Sequence, residues 1–218
     1  MDWLKQLFDL FLHLDDTLGR VIAEYQGWTY VLLALVIFAE TGLVFTPFLP
    51  GDSLHFTVGA FAGMEKLDIR VTFPLLLGAA ILGNTSNYWI GKFLGPRILR
   101  SASSRFFNRR HLERTHAFYE KHGGMTIILA QFVPIVRTFA PFVAGIGAMT
   151  YRRFIAFNIV GALLWVSICM FAGYFFGSIP VVKNNFELVV LGIIAVSLLP
   201  AVIEFLRHRA ARPRGEAA

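Results

Sequence analysis

Hydrophobic and polar positions divide this chain into one amphipathic segment and five long apolar runs. Residues 1–28 set Leu4, Leu7, Phe8, Phe11, Leu14, Leu18, Val21 and Ile22 against Asp9, Asp15, Asp16 and Glu24 at helical spacing. That pattern predicts an amphipathic helix lying at a membrane interface or on the protein, not crossing the bilayer. Apolar runs follow at 29–63, 71–91, 125–149, 154–177 and 186–206. A crossing needs roughly 20 residues, so 71–91, 154–177 and 186–206 each predict one transmembrane helix.

The other two runs are interrupted. Pro47, Pro50 and Gly51 break the first, and Pro134, Pro141, Gly145 and Gly147 break the second. Non-helical backbone at membrane depth requires protein or a water-filled cavity around it. The basic loops then set the orientation. Residues 92–123 carry eight Lys and Arg against Glu113 and Glu120, which makes 92–124 a cytoplasmic loop. If 125–149 crossed, Arg152 and Arg153 and the four arginines of the tail 207–218 would lie outside. If it dips in and returns, they and the C-terminus face the cytoplasm, as the positive-inside rule prefers. The same anatomy makes 29–63 a second re-entrant hairpin, entered from the opposite face.

The expected fold is therefore an all-α polytopic membrane protein. It is an inverted repeat of two re-entrant hairpins, each followed by a transmembrane helix, plus the N-terminal amphipathic helix and a C-terminal transmembrane helix. Antiparallel repeats with broken helices meeting near the midplane are a recurrent transporter plan, with the site at the repeat interface.

Composition supports one membrane domain over the 218 residues: 56% are hydrophobic and only 16% charged, where soluble chains carry about 25% charged residues. The net charge of +6 matches the basic loops, so nucleic acid is not an expected partner. Cys169 is the single cysteine, which excludes a disulfide within the chain. No cleavable signal peptide is expected, because acidic residues thread the N-terminal segment. The HExxH, GxSxG and GxxxxGK[ST] motifs are missing, and His111, His116 and His122 lack metal-ligand spacing. Neither an enzyme, a metal nor a cofactor is expected.

The candidate chemistry lies in charges inside the apolar runs: Glu40, Asp52 and Arg137. Each costs about 2.5–3.5 kcal/mol at a helix centre, so the three must pair, neutralise or line water. Arginine stays charged and offers a fork suited to phosphate, helped by backbone N–H groups at broken helix ends. A carboxylate with restricted access to water takes up and loses protons near neutral pH. Together they suggest proton-linked movement of an anionic headgroup, with purely structural pairing as the alternative. Asn84, Asn87 and His55 are candidate cavity-lining residues, with interhelical or local hydrogen bonding as the competing role. Thr138, beside Arg137, either touches the ligand or bonds its own backbone.

Three stretches carry a resemblance: "FAETGLVFTPFLPGDSL" (38–54), "GNTSNYWIGKFLG" (83–95) and "QFVPIVRTFAPFVAG" (131–145). The chain resembles the DedA family, the bacterial branch of membrane proteins that share the SNARE-associated or VTT domain. The resemblance implies two oppositely oriented re-entrant hairpins and lipid transport in the bacterial inner membrane. It also implies return of undecaprenyl phosphate to the cytoplasmic leaflet, driven by the proton motive force. By matching position, Glu40 and Asp52 would be the membrane acids and Arg137 the essential base. Gln131 stands where the family pattern usually has arginine, and Asn84 where many members have an acid.

The expected function is thus a proton-linked flippase of a phosphate-bearing lipid, with Arg137, Gln131 and Thr138 binding the phosphate and Glu40 and Asp52 handling protons. Membrane lipids and protons are the expected partners, and oligomers are compatible with the sequence. A scramblase of phospholipids such as phosphatidylethanolamine, a transporter of small ions or oxyanions, and a membrane scaffold are the rival classes. Gradient dependence separates the first rival, competition by soluble anions the second, and loss of stability without selective loss of transport the third.

Overall fold

The computed structural model describes residues 27–43, 51–101, 123–147 and 149–177, with isolated positions on either side (19–20, 22, 24–25, 179–180, 182, 188–189 and 192). Most of the N-terminal amphipathic segment and most of the run 186–206, together with residues 44–50, residues 102–122 and the basic tail, lie outside the described residues.

The described residues are helical and contain no strand. Five helices organise them: α1 (Trp28–Gly42), α2 (Gly51–Gly63), α3 (Ile69–Ser101), α4 (Pro134–Ile146) and α5 (Tyr151–Phe176). A further helical stretch runs through 123–130 and ends in a turn at 131–133. Within α3 and α5, the segments Ile69–Gly95 and Tyr151–Phe176 are long and apolar enough to cross a membrane. The helix α3 outlasts its apolar run and carries Lys92, Arg97 and Arg100 in its final turns.

Both interrupted runs form a helix, a break and a second helix. In the second run the break follows from Pro134: its missing N–H suits the first position of a helix, so α4 restarts there after extended Val133. In the first run α1 ends at Gly42, followed by Leu43 with an extended backbone, and α2 runs from Gly51. A short turn then leads to α3. Glu65 takes a left-handed backbone at φ 59°, and Asp68 caps α3 by accepting the Arg70 N–H at 2.8 Å.

The arms reach only the middle of the long helices. Tyr30 near the start of α1 hydrogen-bonds Asp68 at the start of α3, while Gly42 at the end of α1 lies against Gly83, halfway along α3. From there α2 returns, packed along α5, and delivers the chain back to the start of α3. The second run repeats this. Gly124 lies under Phe157 near the start of α5, and Gln131 reaches Gly161 further along it. The returning arm α4 then packs along α3.

So each first arm lies on the long helix of its own half, and each returning arm lies on the long helix of the other. Close helix contact at glycines marks both crossings. A Cβ at Gly173 would strike the Phe56 carbonyl of α2, and one at Gly145 the Tyr88 carbonyl of α3. The long helices are antiparallel: Phe73 near the start of α3 meets Phe171 near the end of α5, ring centroids 5.5 Å apart. At the other end Tyr88 stacks on Phe154 at 4.5 Å. The outward faces are apolar, with Leu35, Leu82, Ile168 and Phe175 exposed, while the polar residues Thr57, Asn84 and Asn158 are fully buried. A polar interior beneath an apolar surface is what lipid as solvent requires.

Candidate functional site

Four broken-helix ends converge at the centre of the molecule. Two are C-terminal ends, at Gly42 and at residue 130, and two are N-terminal ends, at Gly51 and Pro134. Helix N-termini favour anions and C-termini favour cations, so the centre has both kinds of partial charge before any side chain is counted.

Arg137 occupies this centre, on the second turn of α4, with its N–H bonded to the Val133 carbonyl at 2.8 Å. Its guanidinium forks between two acids of the other half. Nη2 donates to Glu40 Oε1 at 2.5 Å and Nη1 to Asp52 Oδ1 at 2.8 Å. Nη1 also lies 3.5 Å from the Gln131 carbonyl. Glu40 and Arg137 are buried, while the Asp52 side chain keeps 16% of its exposure and so is the member of the trio with access to the outside. Glu40 fits because α2 begins with glycine: a Cβ at Gly51 would overlap its carboxylate.

Trp165 of α5 completes the arrangement. Its Nε1–H donates to Asp52 Oδ1 at 2.7 Å, and the Arg137 guanidinium carbon stands 4.2 Å from the centre of its ring. That distance is within cation–π range. His55, one turn beyond Asp52, sets its ring edge against Trp165, centroids 4.4 Å apart. Its Nδ1 lies 2.7 Å from the Gly51 carbonyl. A carbonyl only accepts, so Nδ1 carries the proton and Nε2 presents a bare lone pair, with no partner among the described residues.

A layer of amides adjoins the ion cluster. Asn87 Nδ2 donates to the carbonyls of Thr138 at 2.7 Å and Thr41 at 3.4 Å. Asn84 Nδ2 donates to Asn158 Oδ1 at 2.8 Å, and Asn158 Nδ2 donates to the Ile81 carbonyl at 3.1 Å.

The structure therefore brings together Glu40, Asp52, Arg137 and His55, with Asn84, Asn87 and Thr138 in the adjoining layer. Gln131 meets Arg137 through its backbone carbonyl; its side-chain Oε1 has no partner among the described residues. Among the described residues no group of three His, Cys, Asp or Glu is placed to hold a metal. Sequence reasoning missed Trp165 and Asn158. Their signal is "NIVGALLW", where Asn158, Gly161 and Trp165 fall on one face of an otherwise aliphatic stretch.

Similarity to known proteins identifies the family. The VTT domain matches residues 49–175. Protein DedA of Escherichia coli (strain K12) is 55% identical over 216 residues, covering 98% of this chain and 99% of that protein. A membrane protein of Mycobacterium leprae (strain TN) is 47% identical over 169 residues, covering 78% of this chain and 76% of that one. Inner membrane protein YghB of Escherichia coli (strain K12) is 33% identical over 174 residues, with coverage of 79% and 80%. No solved structure matches the chain. The matched domain, the near-complete coverage by DedA and the inward-facing charges agree, and the chain is a membrane protein of the DedA family.

Proposed function

We propose that this protein is a proton-linked translocase of a phosphate-bearing lipid, returning undecaprenyl phosphate across the bacterial inner membrane as a carrier, not an enzyme. The observation that carries the reading is Arg137, buried on one half of the repeat and forked between Glu40 and Asp52 of the other. Both hairpins enter the bilayer from opposite faces, and the C-terminus is cytoplasmic.

The mechanism follows from competition for one guanidinium. A lipid phosphate and the two carboxylates seek the same fork of donors, in the same geometry. When phosphate takes Arg137, a carboxylate loses its partner, and an unpaired buried charge is not tolerated. Proton uptake is the available relief, so phosphate binding and protonation go together. Arg137 joins the halves, so its release also loosens the contact between them and lets the halves rock. Return of Arg137 to the acids expels phosphate and proton on the other side. The N-termini of α2 and α4 add N–H groups that favour the anion.

The test is leaflet exchange of undecaprenyl phosphate by purified protein in proteoliposomes, with and without an inward pH gradient. The proposal expects exchange that speeds up with the gradient and is lost with Arg137→Ala. Exchange indifferent to the gradient would instead make the protein a scramblase, and exchange blocked by soluble phosphate would favour a small oxyanion as cargo.

A further inference from the structure

We propose that Asn84 and Asn87 form a binding subsite for a monovalent cation, either a free alkali ion or the ammonium group of a lipid headgroup. Both side chains are fully buried, and the Oδ1 atom of each has no hydrogen-bond partner among the described residues.

The neighbours fix which end of each amide is the oxygen. Asn158 must turn Nδ2 to the Ile81 carbonyl, so its Oδ1 accepts and Asn84 must answer with Nδ2. Asn87 faces the carbonyls of Thr138 and Thr41, which also require Nδ2. Both spare atoms are therefore oxygens. They lie three residues apart on α3, on one face and one turn from each other.

The surroundings supply acceptors too. Glu40 Oε2 and Gln131 Oε1 are buried without partners among the described residues. The Thr41 carbonyl belongs to the last turn of α1, the negative end of that helix dipole. Oxygens of unwound backbone and of half-helix C-termini are the means by which broken helices hold cations. The charge balance selects a monovalent ion. The amides are neutral and the nearby acids already share Arg137, so a divalent cation would be buried with too little counter-charge.

This inference goes beyond the transport reading and is measured without transport. Thermal unfolding of the full chain in detergent is followed in NaCl, KCl and ethanolamine hydrochloride, each against choline chloride at equal ionic strength. A saturable rise in Tm of about 3–6 °C at ten times the dissociation constant is expected from linkage with one of these cations. The increment, not the starting Tm, is read in variants. It should vanish in Asn87→Ala. In Asn84→Asp, which keeps an oxygen and adds a charge, it should persist at a lower cation concentration. An increment with Na⁺ or K⁺ assigns a free ion, and one confined to ethanolamine assigns a headgroup. Equal Tm in every salt, or an increment unchanged in both variants, would overturn the subsite.

Discussion

The Trp165 indole binds both members of an ion pair at once: its Nε1–H donates to Asp52 at 2.7 Å and its ring lies 4.2 Å from the Arg137 guanidinium carbon. The pair is thereby held by a helix of the second half. Trp165→Phe keeps a smaller aromatic ring at the site and removes the donor. A hydrogen bond to a charged group is worth about 1.5–3 kcal/mol, so gradient-driven exchange should fall tenfold or more. An unchanged rate in proteoliposomes would remove Trp165 from the site.

Arg137 supports both the fold and the proposed transport, and a pair of variants separates these roles. Removing one partner of a buried ion pair costs about 3–5 kcal/mol, so Arg137→Ala should lower Tm by roughly 6–20 °C at 2–4 °C per kcal/mol. Adding Glu40→Gln and Asp52→Asn takes away the stranded charges. The triple variant should regain most of that Tm and still move no phosphate lipid. Recovery of exchange in the triple variant would make the cluster structural.

Much of this architecture is written in the chain, and its omissions have physical causes. Pro134 announces a helix start because its ring fixes φ and lacks an N–H, and α4 begins there. The acids and the arginine stand out because lipid makes isolated charge expensive, and the three meet in one cluster. Sequence cannot say that Gln131 turns its carbonyl toward Arg137 while its side chain points elsewhere, since that depends on the turn at 131–133. Trp165 escaped notice because a tryptophan in an apolar helix is usual; only the packing of α2 on α5 brings it to Asp52. The end of α3 was hidden because polar side chains continue a helix as readily as apolar ones, and hydrophobicity ends before the helix does.

Glu40 and Asp52 share the proposed coupling role, and Glu40 is the more deeply buried of the two. Glu40→Gln keeps the shape and a hydrogen-bond acceptor but cannot exchange a proton. Exchange by the variant should persist without a gradient and no longer respond to one. With equal pH on both sides, the pH dependence of the rate should flatten relative to the parent protein. A variant that still accelerates with the gradient would move the coupling role to Asp52.

Gly51 leaves room for the Glu40 carboxylate, which a Cβ there would overlap. Gly51→Ala should therefore destabilise by about 1–3 kcal/mol, the range for forcing an extra group into a packed interior. At Gly78 nothing stands within 4 Å of an added Cβ. Alanine favours a helix over glycine by about 0.5–1 kcal/mol, so Gly78→Ala should raise Tm slightly. Equal losses in the two variants, followed by thermal unfolding, would deny that Gly51 is shaped by Glu40.

The antiparallel run of α3 and α5 bears on membrane topology. The helix α5 has 26 residues, about 39 Å at 1.5 Å per residue, enough to cross the roughly 30 Å hydrocarbon core. Had the second broken run crossed once, α5 would start on the far side and lie parallel to α3. Instead Tyr88, late in α3, stacks on Phe154, early in α5, so the two helices run antiparallel, the arrangement that the proposed dip and return would give. The turn holding Lys66 should then face outward and Arg152 the cytoplasm. Single cysteines at these exposed positions, Lys66→Cys and Arg152→Cys, test this in a Cys169→Ser background. A membrane-impermeant maleimide added to intact cells should label the first and spare the second until the membrane is opened. Labelling of both from outside would refute the re-entrant arrangement, because the two long helices would then begin on the same side; labelling of Arg152→Cys alone would keep that arrangement and reverse its orientation in the membrane.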